Sequence, residues 1–515
     1  MSRLPITPDS TIDSDPRGAR PDVIPVFATV RSGIDRFLAL RTPWAASIGA
    51  ILLLQSWLTL THQPWLDEYQ ALQIALQTPD LASLSANLHY EGHPPLWYLL
   101  LRAAAGIVPA RWALSSVALV LALATQSIML LRAPFPRIDR VMIATSAIIL
   151  FEYGVVSRSL TLGVALLVVA FAFRDRRWSW IALALLPQAD FLFGLLSVVL
   201  LVIQWRERRW WWPGVALWMV VSLTAVLAVV PAPDVVPAFP REEPLTAIGI
   251  WLARLSFMLV PVQMDGWRPT WNHSLHAGVA LVAGLLFLLF MFRQTRSHAP
   301  HRWMLFGFAA ATLLFSAVVY PLSIRHLSLI ALLLILLKWR EVSNGQPADR
   351  AWRIWLAALA LGGLGEVAAA VTMPFNTADA AAEAIRVRGL TRKHWISFPE
   401  SRAQGVAAIN GMTFDRLERD CAQGFVRWNS RSNVKGVRGL SARLRRTTDH
   451  YGRVYLLTTR NIVPGPDSIY TLITSIPAGY DGQRYNLYLV GRNLPETDRR
   501  APPCVPGLRP LRLLD

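Results

Sequence analysis

Cysteine is almost missing from this sequence: the 515 residues hold two, Cys421 and Cys504, and none before position 421. That excludes a zinc finger or any comparable cluster of thiolate ligands, which needs several thiols at short spacing. No RNA-binding signature occurs either. The region after residue 376 lacks a glycine-rich phosphate loop of the Rossmann or Walker kind, so no nucleotide is assigned to it. There is no low-complexity tract and no self-similarity at periods of about 20–50 residues, which removes solenoids and propellers. About forty polar, Arg-bearing residues precede the first apolar run, so no cleavable signal peptide is expected. Acidic residues are scarce as well, 33 Asp and Glu against 51 Lys and Arg, and only 16% of the chain is charged.

What fills the sequence instead is apolar. Hydrophobic residues make up 53% of it, 21 of them Trp, and mean hydropathy is +0.37. A soluble protein of this length rarely reaches that value, so the class is integral membrane protein. The net charge of +18 would suggest a nucleic-acid partner in a soluble chain. Here the arginines cluster between apolar runs, as in cytoplasmic loops beside anionic lipid, and no nucleic acid is expected.

Residues 1–43 read as a cytoplasmic tail, in which "VIPVFATVRSGIDRFLALR" is predicted to lie on the membrane as an amphipathic helix. Spans are predicted at about 44–62, 111–131, 141–155, 159–173, 178–188, 190–205, 210–230, 274–292, 303–321, 324–338 and 352–372. Several are short, as expected of broken or re-entrant helices. "LWYLLLRAAAGIV" is too short to cross and carries Arg102, so it reads as interfacial. With the N-terminus inside, "RAPFPRIDR", "RDRRW", "RERRW", "RQTRSHAPHR" and "KWREVSNGQPADR" all fall inside, satisfying the positive-inside rule. "LTAIGIWLARLSFMLVPVQ" is placed on the outer surface to preserve that order. Residues 44–375 then form the transmembrane domain, with a first outer loop at 63–94, and residues 376–515 lie outside. In that last part "TADAAAEAIRVRG", "SRAQGVAAING" and "LSARLRRTT" read as helices. "HWISF", "GFVRWN", "RVYLLTT" and "RYNLYLVG" read as extended, which gives a small α/β domain with a partly parallel sheet. The two cysteines lie in this extracytoplasmic part and are predicted to pair.

Charges that interrupt apolar runs are costly in lipid and need a reason. They are Glu152, Arg158, Asp190, Arg325 and Glu366, and on this topology all five fall toward the outer ends of their spans. Asp67, Glu68, Glu91 and His93 lie in the first outer loop, on the same side. One polar pocket at the outer leaflet accounts for the coincidence. For "WLDEY" two readings stand: an acidic helix start favoured by the helix dipole, or a base that takes a proton from an acceptor hydroxyl or amine. In "EGHPPL", Pro94 and Pro95 fix the entry of the next helix and thereby present Glu91 and His93.

"LDE" after the first span, followed by "YEGHPPLWYLLL", resembles the first loop of GT-C glycosyltransferases, above all the lipid-A aminoarabinose transferases and protein O-mannosyltransferases. "VVSRSLTLGVALL" and "YPLSIRHLSLIALLLIL" resemble Arg-bearing span starts of those families. The resemblance implies a GT-C-like α-helical polytopic membrane protein of about eleven spans with a small C-terminal extracytoplasmic α/β domain. It also implies a bacterial-type inner membrane, a polyprenyl-phosphate sugar donor, and an envelope glycan, lipid or protein acceptor. In that likeness Asp67 is the general base or acceptor anchor, Glu91 orients acceptor or sugar, and Arg158 and Arg325 hold the lipid-phosphate leaving group. Glu68 and His93 join them as catalytic candidates, and His326, Asp190 and Tyr90 as substrate-binding candidates. No Asp-x-Asp pair follows the first span, which counts against the metal-dependent route of oligosaccharyltransferases; no cofactor is required, and a divalent metal is left open without being indicated. The alternatives are a polysaccharide polymerase or O-antigen ligase, and a lipid transporter.

Overall fold

In the computed structural model the described residues are 33–515, excluding 236–242, 274, 418–420, 430–438, 463–467, 498, 500, 505–510, 512, 514 and 515. The chain is mostly helical. Among the described residues six helices are long and apolar enough to cross a membrane: Arg41–Thr61, Ala110–Arg132, Trp212–Val229, Ala277–Thr295, Ala299–Val318 and Arg350–Thr372. Ser159–Ala172 and Phe191–Arg206 are apolar but shorter. The predicted run at 141–155 is split, into Arg137–Ala144 and a π-helical turn over Ala147–Glu152. Most of the expected amphipathic tail helix lies outside the described residues; residues 33–39 are helical.

At the centre stands Ile324–Ser343, with 16 of its 20 residues buried. Its sequence is apolar on all sides, which is the pattern of a helix surrounded by others. Lipid tails are as apolar as leucine, so such helices associate through close packing, and small residues set how close they come. Gly363 shows this most directly. A Cβ there would sit 1.9 Å from the carbonyl oxygen of Thr145, so only glycine admits the irregular 145–147 turn against the Arg350–Thr372 helix. On its other side that turn runs to Gly154, whose carbonyl accepts from Thr59 Oγ1 at 2.9 Å on the first helix. The broken segment 145–158 is therefore wedged between two helices, and it ends at Arg158.

The five Arg-rich connections gather at one end of the bundle. Glu207 takes Arg174 at 3.2 Å, Arg340 at 2.7 Å and Arg209 at 3.4 Å. His301 bonds Glu341 at 2.9 Å, and Arg293 and Arg353 reach Asp349 and Asp139 at 3.8 and 3.7 Å. Arg325 lies at the other end of the central helix, about 22 Å away along its axis at 1.5 Å per residue.

The first loop is itself helical, Leu66–Gln77 and Leu81–Leu88, and the proline corner leads into Leu96–Ala105. A small hairpin follows much later, β1 (Met264–Asp265) and β2 (Arg268–Pro269). The C-terminal part folds as helices around a six-stranded sheet. Its strands are β3 (Trp395–Phe398), β4 (Phe414–Arg416), β5 (Ala422–Gln423), β6 (Val454–Thr458), β7 (Tyr470–Ile476) and β8 (Tyr485–Val490). Their order is β5-β4-β3-β6-β8-β7, with β3 parallel to both β4 and β6 and the remaining pairs antiparallel. Cys421 and Cys504 form a disulfide. The stretch "GFVRWN" is not a strand of this sheet. It leaves β5 as a strap and pairs with side chains of the first loop instead.

Candidate functional site

Asp67 and Glu68 are adjacent on the first turn of the Leu66–Gln77 helix, yet they turn to different tasks. Glu68 is fully buried and accepts from Trp65 N at 2.9 Å, which satisfies a backbone donor at the helix start. It also accepts from Ser157 N at 2.6 Å and pairs with His62 Nε2 at 2.9 Å. Every oxygen of Glu68 is thus engaged. The Ser157 bond clamps the helix start to the residue before Arg158.

Asp67 is what that clamp positions. Its Oδ2 lies 2.8 Å from Arg158 NH1 and 3.5 Å from Arg325 NH2, so two guanidinium groups from distant segments meet on one oxygen. The exposures run in a definite order: 32% for the Asp67 side chain, 11% for Arg158 and 5% for Arg325. The carboxylate is thus the outermost of the three groups and the cations lie deeper. Arg325 is flanked by the rings of Trp65 and Trp271, whose centroids are 5.4 and 5.7 Å away, the geometry of cation–π contacts. Its backbone carbonyl accepts from Tyr153 Oη at 2.6 Å, and Arg254 NH1 holds the carbonyls of Pro321 and Leu322 at 2.9 and 2.6 Å just upstream. Arg325 NH1 is buried and has no hydrogen-bond partner among the described residues.

His93 joins from the proline corner. Its Nε2 is 3.1 Å from Arg158 NH2. A guanidinium only donates, so Nε2 must offer its lone pair and the ring proton belongs on Nδ1. Nδ1 faces Gly92 O at 3.2 Å and Asp190 Oδ2 at 3.8 Å. Asp190 in turn accepts from Leu192 N at 2.9 Å and so starts the Phe191–Arg206 helix. Asp67, His93, Arg158, Asp190 and Arg325 therefore form one connected cluster.

Four expected site residues are engaged elsewhere. His326 caps its own helix, its Nδ1 lying 2.6 Å from Ser323 Oγ and accepting from Ser323 N at 3.2 Å. Tyr90 donates to Asp234 at 2.9 Å. Glu68 is the clamp described above. Glu91 accepts from Gln70 Nε2 at 2.7 Å, and the same nitrogen donates to Val426 O at 2.7 Å while Gln70 Oε1 accepts from Val426 N at 3.0 Å. Glu91 thus belongs to the junction between the first loop and the C-terminal strap. Burial there pushes its carboxyl up to about 7, with hydrogen bonds from Gln70 and Trp428 pulling the other way.

A second polar cluster lies beside the first. Gln263 Nε2 donates to Glu152 at 2.9 Å and to Glu366 at 3.0 Å, while Trp271 Nε1 donates to Glu152 at 3.1 Å. Tyr480, on the loop between β7 and β8, donates to Glu366 at 2.6 Å. The two carboxylates stand out in the sequence as charges inside apolar runs, whereas Gln263, Trp271 and Tyr480 carry neutral polar groups that nothing in the sequence marks. No group of three or more His, Cys, Asp and Glu among the described residues is arranged to hold a metal ion. No protein-family model, no curated protein and no solved structure matches this chain.

Proposed function

We propose that this chain is an integral membrane glycosyltransferase of the GT-C kind, with about eleven spans and a C-terminal domain in the extracytoplasmic compartment. The donor is a polyprenyl-phosphate-linked sugar, and the acceptor is an envelope glycan, lipid or protein. The observation that carries the reading is the meeting of Arg158 and Arg325 on a single anionic oxygen, with Arg325 NH1 still unengaged.

The chemistry follows from where charge moves. The bond between the anomeric carbon and the phosphate oxygen breaks, and its electron pair stays on that oxygen. The acceptor oxygen bonds to the anomeric carbon and its proton passes to the Asp67 carboxylate. Negative charge grows on the phosphate, and fixed cations stabilise it most as the bond breaks. At 4 Å and an effective dielectric near 20, one such pair is worth about 4 kcal/mol before desolvation. The planar guanidinium fork also matches phosphate oxygens. His93 orients Arg158 by accepting from it.

The test is transfer by the purified protein in lipid nanodiscs, offered a panel of polyprenyl-phosphate sugars and envelope acceptors. The reading expects lipid phosphate to be released with sugar transfer, and expects Arg158→Ala and Arg325→Ala each to lower turnover at least about a hundredfold, the size seen when one preorganised donor is removed. Equal turnover in both variants and the parent would refute it.

A further inference from the structure

Asp67 has an unusual set of contacts for a base. Among the described residues its polar partners are the two guanidinium groups of Arg158 and Arg325. It is not needed to hold its own helix, because Glu68 supplies the cap at the next position. It is also the most exposed of the three charged groups, at 32% against 11% and 5%. The cations are fastened: Arg325 between Trp65 and Trp271, and Arg158 against His93. A more exposed anion resting on two held cations has the form of a plug that can be lifted without disturbing the socket.

We infer that Asp67 is a tethered counter-ion which the donor's phosphate displaces, so that binding of the donor is itself what frees the base. The inference rests on the function proposed above and concerns how that site is regulated. Without donor, Asp67 Oδ2 neutralises both arginines and its lone pairs are turned into the pocket. A phosphodiester brings its own anionic oxygens and reaches Arg325 NH1, which Asp67 leaves without a partner. The arginines pass to the phosphate, and Asp67 swings outward, to where the acceptor arrives. It then takes the acceptor's proton as the new glycosidic bond forms and the phosphate leaves with the electron pair. After the lipid phosphate departs and the proton is lost to solvent, the carboxylate returns to the arginines. A base that is presented only when the donor is bound has no work to do on an empty site.

The prediction that separates this from an ordinary base or acceptor anchor is a gain of affinity. Binding of a polyprenyl phosphate would be measured in phosphatidylcholine nanodiscs, whose lipid adds no competing net charge. Asp67→Asn removes the internal competitor and should bind at least about tenfold tighter than the parent, equivalent to about 1.4 kcal/mol, while failing in transfer. Arg158→Ala and Arg325→Ala should bind at least about tenfold more weakly. If the parent binds in an arginine-dependent way but Asp67→Asn binds equally or less well, the exchange is wrong and the proposed function stands. If neither parent nor Asp67→Asn binds in a way that the arginine changes weaken, the proposed function falls and the exchange with it. Asp67→Asn leaves two buried cations together, so its unfolding midpoint should drop. Polyprenyl phosphate should then raise that midpoint more than it raises the parent's, and a midpoint raised no more than the parent's would also overturn the exchange.

Discussion

Replacing Glu91 by glutamine tests the junction between the first loop and the C-terminal strap. The Glu91 carboxyl is pushed from its ordinary 4.5 up to about 7 by burial. A group raised in the folded state binds its proton more tightly there than in the open chain. Its contribution to stability is therefore fully present below pH 4.5 and is lost as the pH rises through about 7. The displacement corresponds to a ceiling of about 3 kcal/mol, reduced by the contact with solvent that the corner keeps. Glutamine retains an oxygen to accept from Gln70 and never ionises, so Glu91→Gln should abolish this pH dependence. The readout is hydrogen exchange at the backbone amide of Val426, which donates to Gln70 3.0 Å away, corrected for the intrinsic rate and followed from pH 5 to 8. The parent should lose protection across that window, and Glu91→Gln should hold it and be the more stable of the two at pH 8. If both lose protection in parallel, Glu91 is not the group that weakens the strap.

The remaining predictions concern the supports of the site. Glu68→Ala leaves the buried amides of Trp65 and Ser157 without an acceptor and should cost about 2–5 kcal/mol in unfolding, with loss of transfer as Asp67 and Arg158 separate. Retention of stability would show that solvent replaces the clamp. Tyr480→Phe removes the donor to Glu366 and should destabilise by about 1–3 kcal/mol, read as faster proteolysis of the loop between β7 and β8. Gly363→Ala puts a methyl into the backbone of Thr145 and should lower the unfolding midpoint, whereas Gly365→Ala, with open space around it, should not. Cysteines introduced at Arg176 and at Lys393 should label from opposite sides of intact cells, Lys393 from outside. Labelling of Arg176→Cys from outside would overturn the orientation on which the proposed function depends.

Much of this was legible because the informative residues were out of place. Arg158 and Arg325 stand out in runs of leucine and valine, and a charge in such a run announces a partner. The partner itself was harder to choose. Asp67 and Glu68 are neighbours of similar chemistry, and only the helix start decides which turns inward. A Glu at the third helical position, able to reach back to the N-cap amide, was the local signal that marked Glu68 as structural, although Trp65 offers no side-chain acceptor in return. His326 carried the same signal three residues after Ser323. Glu91 could not be placed from sequence, because its surroundings include Val426 and Trp428, more than 330 residues away along the chain. The same distance hid the strap: "GFVRWN" has the composition of a strand, and what it pairs with are the side chains of Gln70 and Asn87 on the first loop. The splitting of the run at 141–155 was also invisible, since the break depends on how closely Gly363 of a later helix lets the chain approach.

The central helix has a consequence for which changes the chain tolerates. Ile324–Ser343 is fastened at its start by the carbonyl grip of Arg254 and by Tyr153 on the Arg325 carbonyl, and at its finish by Arg340 on Glu207 and by His301 on Glu341. Its length is thus a ruler between two anchorages. Exchanging one aliphatic side chain for another along it alters packing while leaving both anchors in register. Adding or deleting a single residue turns one end relative to the other by about 100°, so either the guanidinium of Arg325 leaves Asp67 or Arg340 leaves Glu207. Descent of this segment should therefore record free substitution and almost no change of length.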